Sequence, residues 1–240
     1  MNDQDIFDLY VAQSENVREL WKAKESLVKD INCCIRKSEE YQLSVKTKFL
    51  ALLYSAWSEA QFTQIVYTPN GFSYSEIKHI LRYKKKNGIG QAWKLMLENA
   101  MRKVGDTATR GDLNNRLRKL VNIAKDYIAE PSEIRNKIAH GEWVNALNST
   151  VTATNPTISQ MLKQLDPVLV EKRFEIHRYM GYIVRDLIQS PKAGFHKHYW
   201  TNIVNLEDYM KKTASWNLNT KKCCFLKSLY CIAYKKWLTR

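Results

Sequence analysis

No apolar run in this sequence approaches the length needed to cross a bilayer, so a membrane-spanning helix is not expected. The opening residues MNDQDIFDLY carry Asp3, Asp5 and Asp8 and no basic segment, and so do not read as a secretion leader. A soluble, cytoplasmic protein is the expectation. The five cysteines, Cys33, Cys34, Cys223, Cys224 and Cys231, form an odd set with two adjacent pairs, a poor framework for cross-links that suits a reducing compartment. There is no CxxC pair, so a zinc site needs an unusual ligand set such as Cys223, Cys231, His196 and His198. The alternative is that the thiols pack as small apolar groups, and on this reading neither a metal nor a cofactor is expected. Internal repeats, low-complexity tracts and strand patterns long enough to build a sheet are also missing. The last shortage is of acidic residues. Against 38 Lys and Arg there are 24 Asp and Glu, a formal charge of +14 that attracts polyanions.

What is present is 45% hydrophobic residues in 240, enough for a core and for one large domain or a domain with an appendage. Ile6, Leu9, Tyr10, Val17, Leu20, Trp21, Leu27, Val28, Ile31 and Ile35 recur at intervals of three and four, which predicts one long amphipathic helix over about 4–40. A mostly buried central helix is predicted from about Val45 to Val66, ending before Pro69-Asn70-Gly71. Ser73 with Glu76 is a capping-box pattern that opens a short helix. A basic turn, Lys84-Lys85-Lys86-Asn87-Gly88, follows, and then a helix closed by Gly105. Leu113 to Ile128 marks a further helix, and Pro131 suits the first turn of the next. The polar residues between Asn145 and Thr157 read as a loop, after which Asp166-Pro167 opens a helix to about Gln189.

From Pro191 the composition changes. Residues 191–240 hold ten Lys and Arg against Glu207 and Asp208, so +8 of the +14 lies there, interleaved with Phe195, Tyr199, Trp200, Tyr209, Trp216, Phe225, Tyr230, Tyr234 and Trp237. The expected division is a helical bundle over 1–190 and a basic, aromatic-rich helical extension over 191–240. Lysines contact phosphates and aromatic rings stack on bases, so Lys197, Lys211, Lys212, Lys221 and Lys222, with Lys84, Lys85 and Lys86 of the basic turn, are candidate RNA contacts. Two other readings stay open for this segment: the aromatics anchor it to the bundle, or Cys223 to Tyr234 forms an interfacial helix on an anionic membrane with the cysteines as lipidation sites.

The most informative stretch is Pro131-Ser132-Glu133-Ile134-Arg135-Asn136-Lys137-Ile138-Ala139-His140-Gly141. On a helix Ile134 and Ile138 share a core-facing side, while Arg135, Asn136, Ala139 and His140 occupy the opposite arc. Arginine offers phosphate a planar fork of donors, and histidine exchanges protons near neutral pH. RNA supplies its own nucleophile, the 2′-hydroxyl, so these groups suffice for cleavage without a metal. The competing reading is structural: Arg135 pairs with Glu133 or Glu142, and His140 sits at the helix C-terminus where a cation interacts well with the dipole. Trp57, Trp93 and Trp143 are likewise read as core residues, against base stacking.

Arg135-Asn136-Lys137-Ile138-Ala139-His140 resembles the Arg-x4-His motif of the HEPN superfamily, including its frequent polar residue after the arginine. The resemblance spans 4–190 and is in particular to HEPN proteins of abortive-infection, toxin and antiviral-defence systems. It implies an all-α, up-and-down bundle in which two subunits pool their motifs into one metal-independent endoribonuclease site. Arg135, Asn136 and His140 would be catalytic, joined by Glu59 of Trp57-Ser58-Glu59, where related proteins often place an acidic residue; Glu59 also reads as a solvated or paired carboxylate. The partners implied are RNA, a second copy of the chain, and a neutralising or sensor protein. A non-catalytic module that binds nucleic acid or protein is the alternative.

Overall fold

The computed structural model describes residues 2–192 and 198–225. The chain is all-α: among the described residues the only β pairing is an isolated bridge between Leu147 and Thr154. Helix α1 runs Asp3–Lys37, opened by a reciprocal capping box between Asn2 and Asp5 and closed where Ser38 turns left-handed at φ 57°. Helix α2, Glu40–Val66, starts earlier than its apolar pattern predicts, because Leu43 already packs in the core behind the α1 turn. The two lie antiparallel: Asp30 pairs with Lys46, and Ser14 accepts from Gln64.

Helix α3 spans Tyr74–Val104, with Ser73 and Glu76 capping each other as expected. The anticipated basic turn shrinks to one residue. Gly88, at φ 80°, kinks a helix that continues on both sides, since Ile89 is needed in the core immediately after it. Helix α4, Gly111–Ala124, runs into a π-helical turn at Lys125–Ala129, and helix α5, Pro131–Ala139, follows. Proline has no N–H to give the carbonyl four residues back, that of Tyr127. The buried Tyr54 hydroxyl donates to that carbonyl instead, at 2.7 Å.

Helix α6, Pro156–Lys163, was not expected from the sequence; Asn155 caps it, and Ser159 holds the preceding loop by accepting from the N–H of Ala146. Helix α7, Pro167–Gln189, is capped by Asp166, whose second carboxylate oxygen accepts from Leu218 at 2.7 Å. Helix α8, His198–Lys212, buries Tyr199, Ile203 and Leu206, and residues 218–225 are again helical.

The core has two parts. One gathers the C-terminal half of α2 with α3, α4, α7 and α8 around Trp93 and Phe62; the other gathers α1, the N-terminal half of α2, α5 and the start of α7 around Leu50, Trp57 and Phe174. Trp57 and Trp93 are core residues, as their spacing suggested. The described part of the basic C-terminal segment packs on both, through α8 on the first and through Leu218 and Phe225 on the second. No helix among the described residues is long and apolar enough to cross a membrane.

Candidate active site

Helix α5 is nine residues long and starts on Pro131, so its stability comes from packing rather than from its own propagation. Ile134 and Ile138 supply that packing: they are 4% and 2% exposed and join the second core. On the other side Asn136, Ala139 and His140 are exposed, and Arg135 is partly so. After His140, Gly141 adopts φ 84°, a left-handed turn that a side chain would strain, and the chain leaves the helix axis.

The loop beyond is tied back under the helix. Trp143 donates its indole N–H to the carbonyl of Ile138 at 3.0 Å and packs edge-on against Phe49. Lys137 reaches both Glu142, at 3.0 Å, and the carbonyl of Leu147. The Leu147 N–H donates to Glu142 as well; that bond, then Lys137 and the charge of His140, hold the Glu142 carboxyl below the ordinary carboxylate range. Glu142 is therefore occupied by Lys137 and Leu147 and not by Arg135. Among the described residues no side-chain hydrogen bond or ion pair is made by Arg135, Asn136 or His140, and the Arg135 Nε is buried without a partner. A cation, an amide and an imidazole thus share one solvent-facing arc with their donors and acceptors uncommitted.

Glu59 does not belong to that group. It pairs with Lys84 of α3, which also lies over the Phe62 ring. The candidate RNA lysines divide in the same manner. Lys221 pairs with Glu171 and Lys222 with Glu40, both at 2.7 Å, whereas Lys85, Lys86, Lys211 and Lys212 are exposed. Lys197 lies outside the described residues.

The cysteines do not all pack as apolar groups: Cys34 is buried, but Cys33, Cys223 and Cys224 are exposed. Cys231 and His196 lie outside the described residues, as does most of the stretch considered for a membrane-surface helix. Among the described residues there is no cluster of His, Cys, Asp and Glu that could hold a metal ion.

Two sets of polar residues escaped the sequence reading. His177 is fully buried among Trp57, Trp93 and Tyr54, and burial pushes its pKa down to about 3. Its Nδ1 lies 3.2 Å from the Tyr54 hydroxyl; that hydroxyl spends its proton on the Tyr127 carbonyl, so Nδ1 carries the hydrogen and the neutral ring leaves Nε2 unpartnered. The second set is Arg18, Arg178, Arg185 and Gln61, which together with Trp57 line one groove between α1, α2 and α7. The spacing 178, 182, 185 on α7 was the available signal, and it is visible only once the three helices are assembled. No family model, curated protein or solved structure matches the chain.

Proposed function

We propose that the protein is a metal-independent endoribonuclease of HEPN type, of the kind used by toxin and antiviral-defence systems, acting as a homodimer that pools two copies of the Arg135–His140 arc. The observation that carries this reading is that Arg135, Asn136 and His140 share one face of α5 and make no side-chain hydrogen bond or ion pair among the described residues, although carboxylates stand close in sequence at Glu133 and Glu142. A purely structural Arg135 would be expected to take one of those carboxylates.

The chemistry follows from the groups. One His140 imidazole accepts the proton of the 2′-hydroxyl as its oxygen attacks the adjacent phosphorus. The P–O5′ bond breaks, the 5′-oxygen takes a proton from the second His140, and the products are a 2′,3′-cyclic phosphate and a 5′-hydroxyl end. Arg135 stabilises the extra negative charge of the pentavalent phosphate, and Asn136 orients either the phosphate or the imidazole. Ala139, the small residue at the centre of the arc, lets the second copy or the substrate approach closely.

The test is cleavage of single-stranded RNA by the purified full chain. Activity is expected to persist in EDTA, to fail on RNA with methylated 2′-oxygens, and to disappear in the Arg135→Ala and His140→Ala variants with the thermal transition unchanged. A doubly substituted chain that cut RNA as fast as the original would sink the proposal in favour of a binding module, and a fully active monomer in light scattering would remove the pooled site.

A further inference from the structure

The groove between α1, α2 and α7, about 450 Å³ in volume, is a second site, and we propose that it binds a nucleoside phosphate. Three helical stripes with the same period converge on it: residues 14, 18 and 21 of α1, residues 57, 61 and 64 of α2, and residues 178, 182 and 185 of α7. Its volume lies in the range of small-ligand sites. The groove is distinct from the motif, because no residue of α5 lines it.

Charge decides the ligand's sign. Arg178 is paired with Glu175, which also faces Lys24, but Arg18 and Arg185 enter no ion pair among the described residues, so the groove carries a positive surplus. Ring contacts also hold two of the three guanidinium groups in place: Arg178 lies 5.0 Å from the centroid of Trp21, and Arg185, which has no carboxylate partner among the described residues, lies 4.9 Å from that of Tyr182. A guanidinium held against a ring presents its fork to phosphate with less entropy to lose than a free side chain.

The floor decides the rest of the ligand. Trp57 and Gln61 line the groove although they are 1% and 5% exposed, and the Trp57 Nε1 and the Gln61 Oε1 are buried without partners. A buried donor and a buried acceptor, one helical turn apart on α2, are the pair that the edge of a heterocyclic base satisfies. A nucleoside phosphate supplies both ends: anion for the arginines at the mouth, ring heteroatoms for the floor.

The experiment is calorimetric titration of the full chain with ATP, GTP and inorganic tripolyphosphate, followed in parallel by tryptophan fluorescence. One of the nucleotides is expected to bind and to change the emission. The double substitution Arg18→Ala, Arg185→Ala is expected to weaken it about tenfold or more, because two charge-assisted contacts are lost. Gln61→Leu is expected to weaken the nucleotide but not tripolyphosphate, and His140→Ala is expected to leave binding unchanged, which separates this site from the proposed nuclease centre. The proposal fails if neither nucleotide binds at millimolar concentration, if the double arginine variant binds as well as the original, or if tripolyphosphate binds as tightly as the nucleotides. It fails equally if only single-stranded RNA binds and mononucleotides do not compete.

Discussion

The motif helix and the C-terminal segment both brought cations to the surface in the sequence, and the fold disposes of them in opposite ways. In the C-terminal segment Lys221 and Lys222 reach back to Glu171 and Glu40, so part of its charge fastens the segment to α7 and α2. On α5 the one lysine, Lys137, takes Glu142, and Arg135 and His140 enter no ion pair among the described residues. A count of basic residues therefore overstates the charge available to a polyanion where carboxylates are within reach. A short helix with a few unpaired groups can offer more.

The largest effect that tests this contrast is on activity. Arg135→Ala or His140→Ala is expected to slow cleavage of single-stranded RNA by about 10² to 10⁴, and Lys221→Ala or Lys222→Ala by no more than about twofold, because a partly exposed ion pair contributes little beyond local docking. Gel assays on the four variants decide it; the opposite order would reverse the assignment of the two regions.

Next in size is stability. Ile138→Ala, on the buried side of α5, is expected to cost about 2 to 5 kcal/mol in denaturant unfolding, whereas His140→Ala on the exposed side stays within about 0.5 kcal/mol. If both variants lost stability equally, the arc would be structural.

A third basic group, His177, is neither solvated nor paired but kept neutral by burial. Its folded pKa is depressed from 6.5 to about 3, so the unfolded chain binds the proton more readily. The stabilisation is complete above 6.5 and is lost as pH falls toward 3, roughly 3 kcal/mol of it by about pH 4. Unfolding titrations of the original chain and of His177→Phe should diverge across that window, and parallel curves would contradict the burial of the imidazole.

The smallest effect concerns the exposed lysines. Removing Lys211 and Lys212 together is expected to lower the salt slope of RNA binding by about 1 to 2, while removing Lys221 and Lys222 leaves it unchanged. Equal slopes would show that pairing does not govern availability.

The parts of the fold legible in the sequence were those with local causes. Ser73 with Glu76, Asp166 before Pro167, and Gly105 after Val104 each act within a turn of the helix they begin or end, and each is found where its pattern put it. The inward side of α5 was readable for the same reason, since Ile134 and Ile138 need only helical geometry to share a face. Helix α6 was hidden because its eight residues follow a polar, β-branched stretch, and its cap, Asn155, looks like one more loop residue. The partner of Lys222, 182 residues away, and the convergence of Arg18, Arg178 and Arg185 depend on how helices assemble, which no local spacing encodes. Glu59 illustrates the limit at the site itself: its helix was expected, but its pairing with Lys84 was not.

The π turn at Lys125–Ala129 has a consequence for the direction in which the arc faces. Closing a turn over five residues instead of four inserts one extra residue, and each residue advances a helix by about 100°. The azimuth of everything after it is shifted by that amount, and the Tyr54 hydroxyl on the Tyr127 carbonyl pins the shifted phase to the core. Without the insertion the Ile134–Ile138 stripe would rotate away from Leu50 and Trp57, and Arg135 and His140 would swing with it. Which way the motif looks is set upstream, by a turn that contains none of its residues.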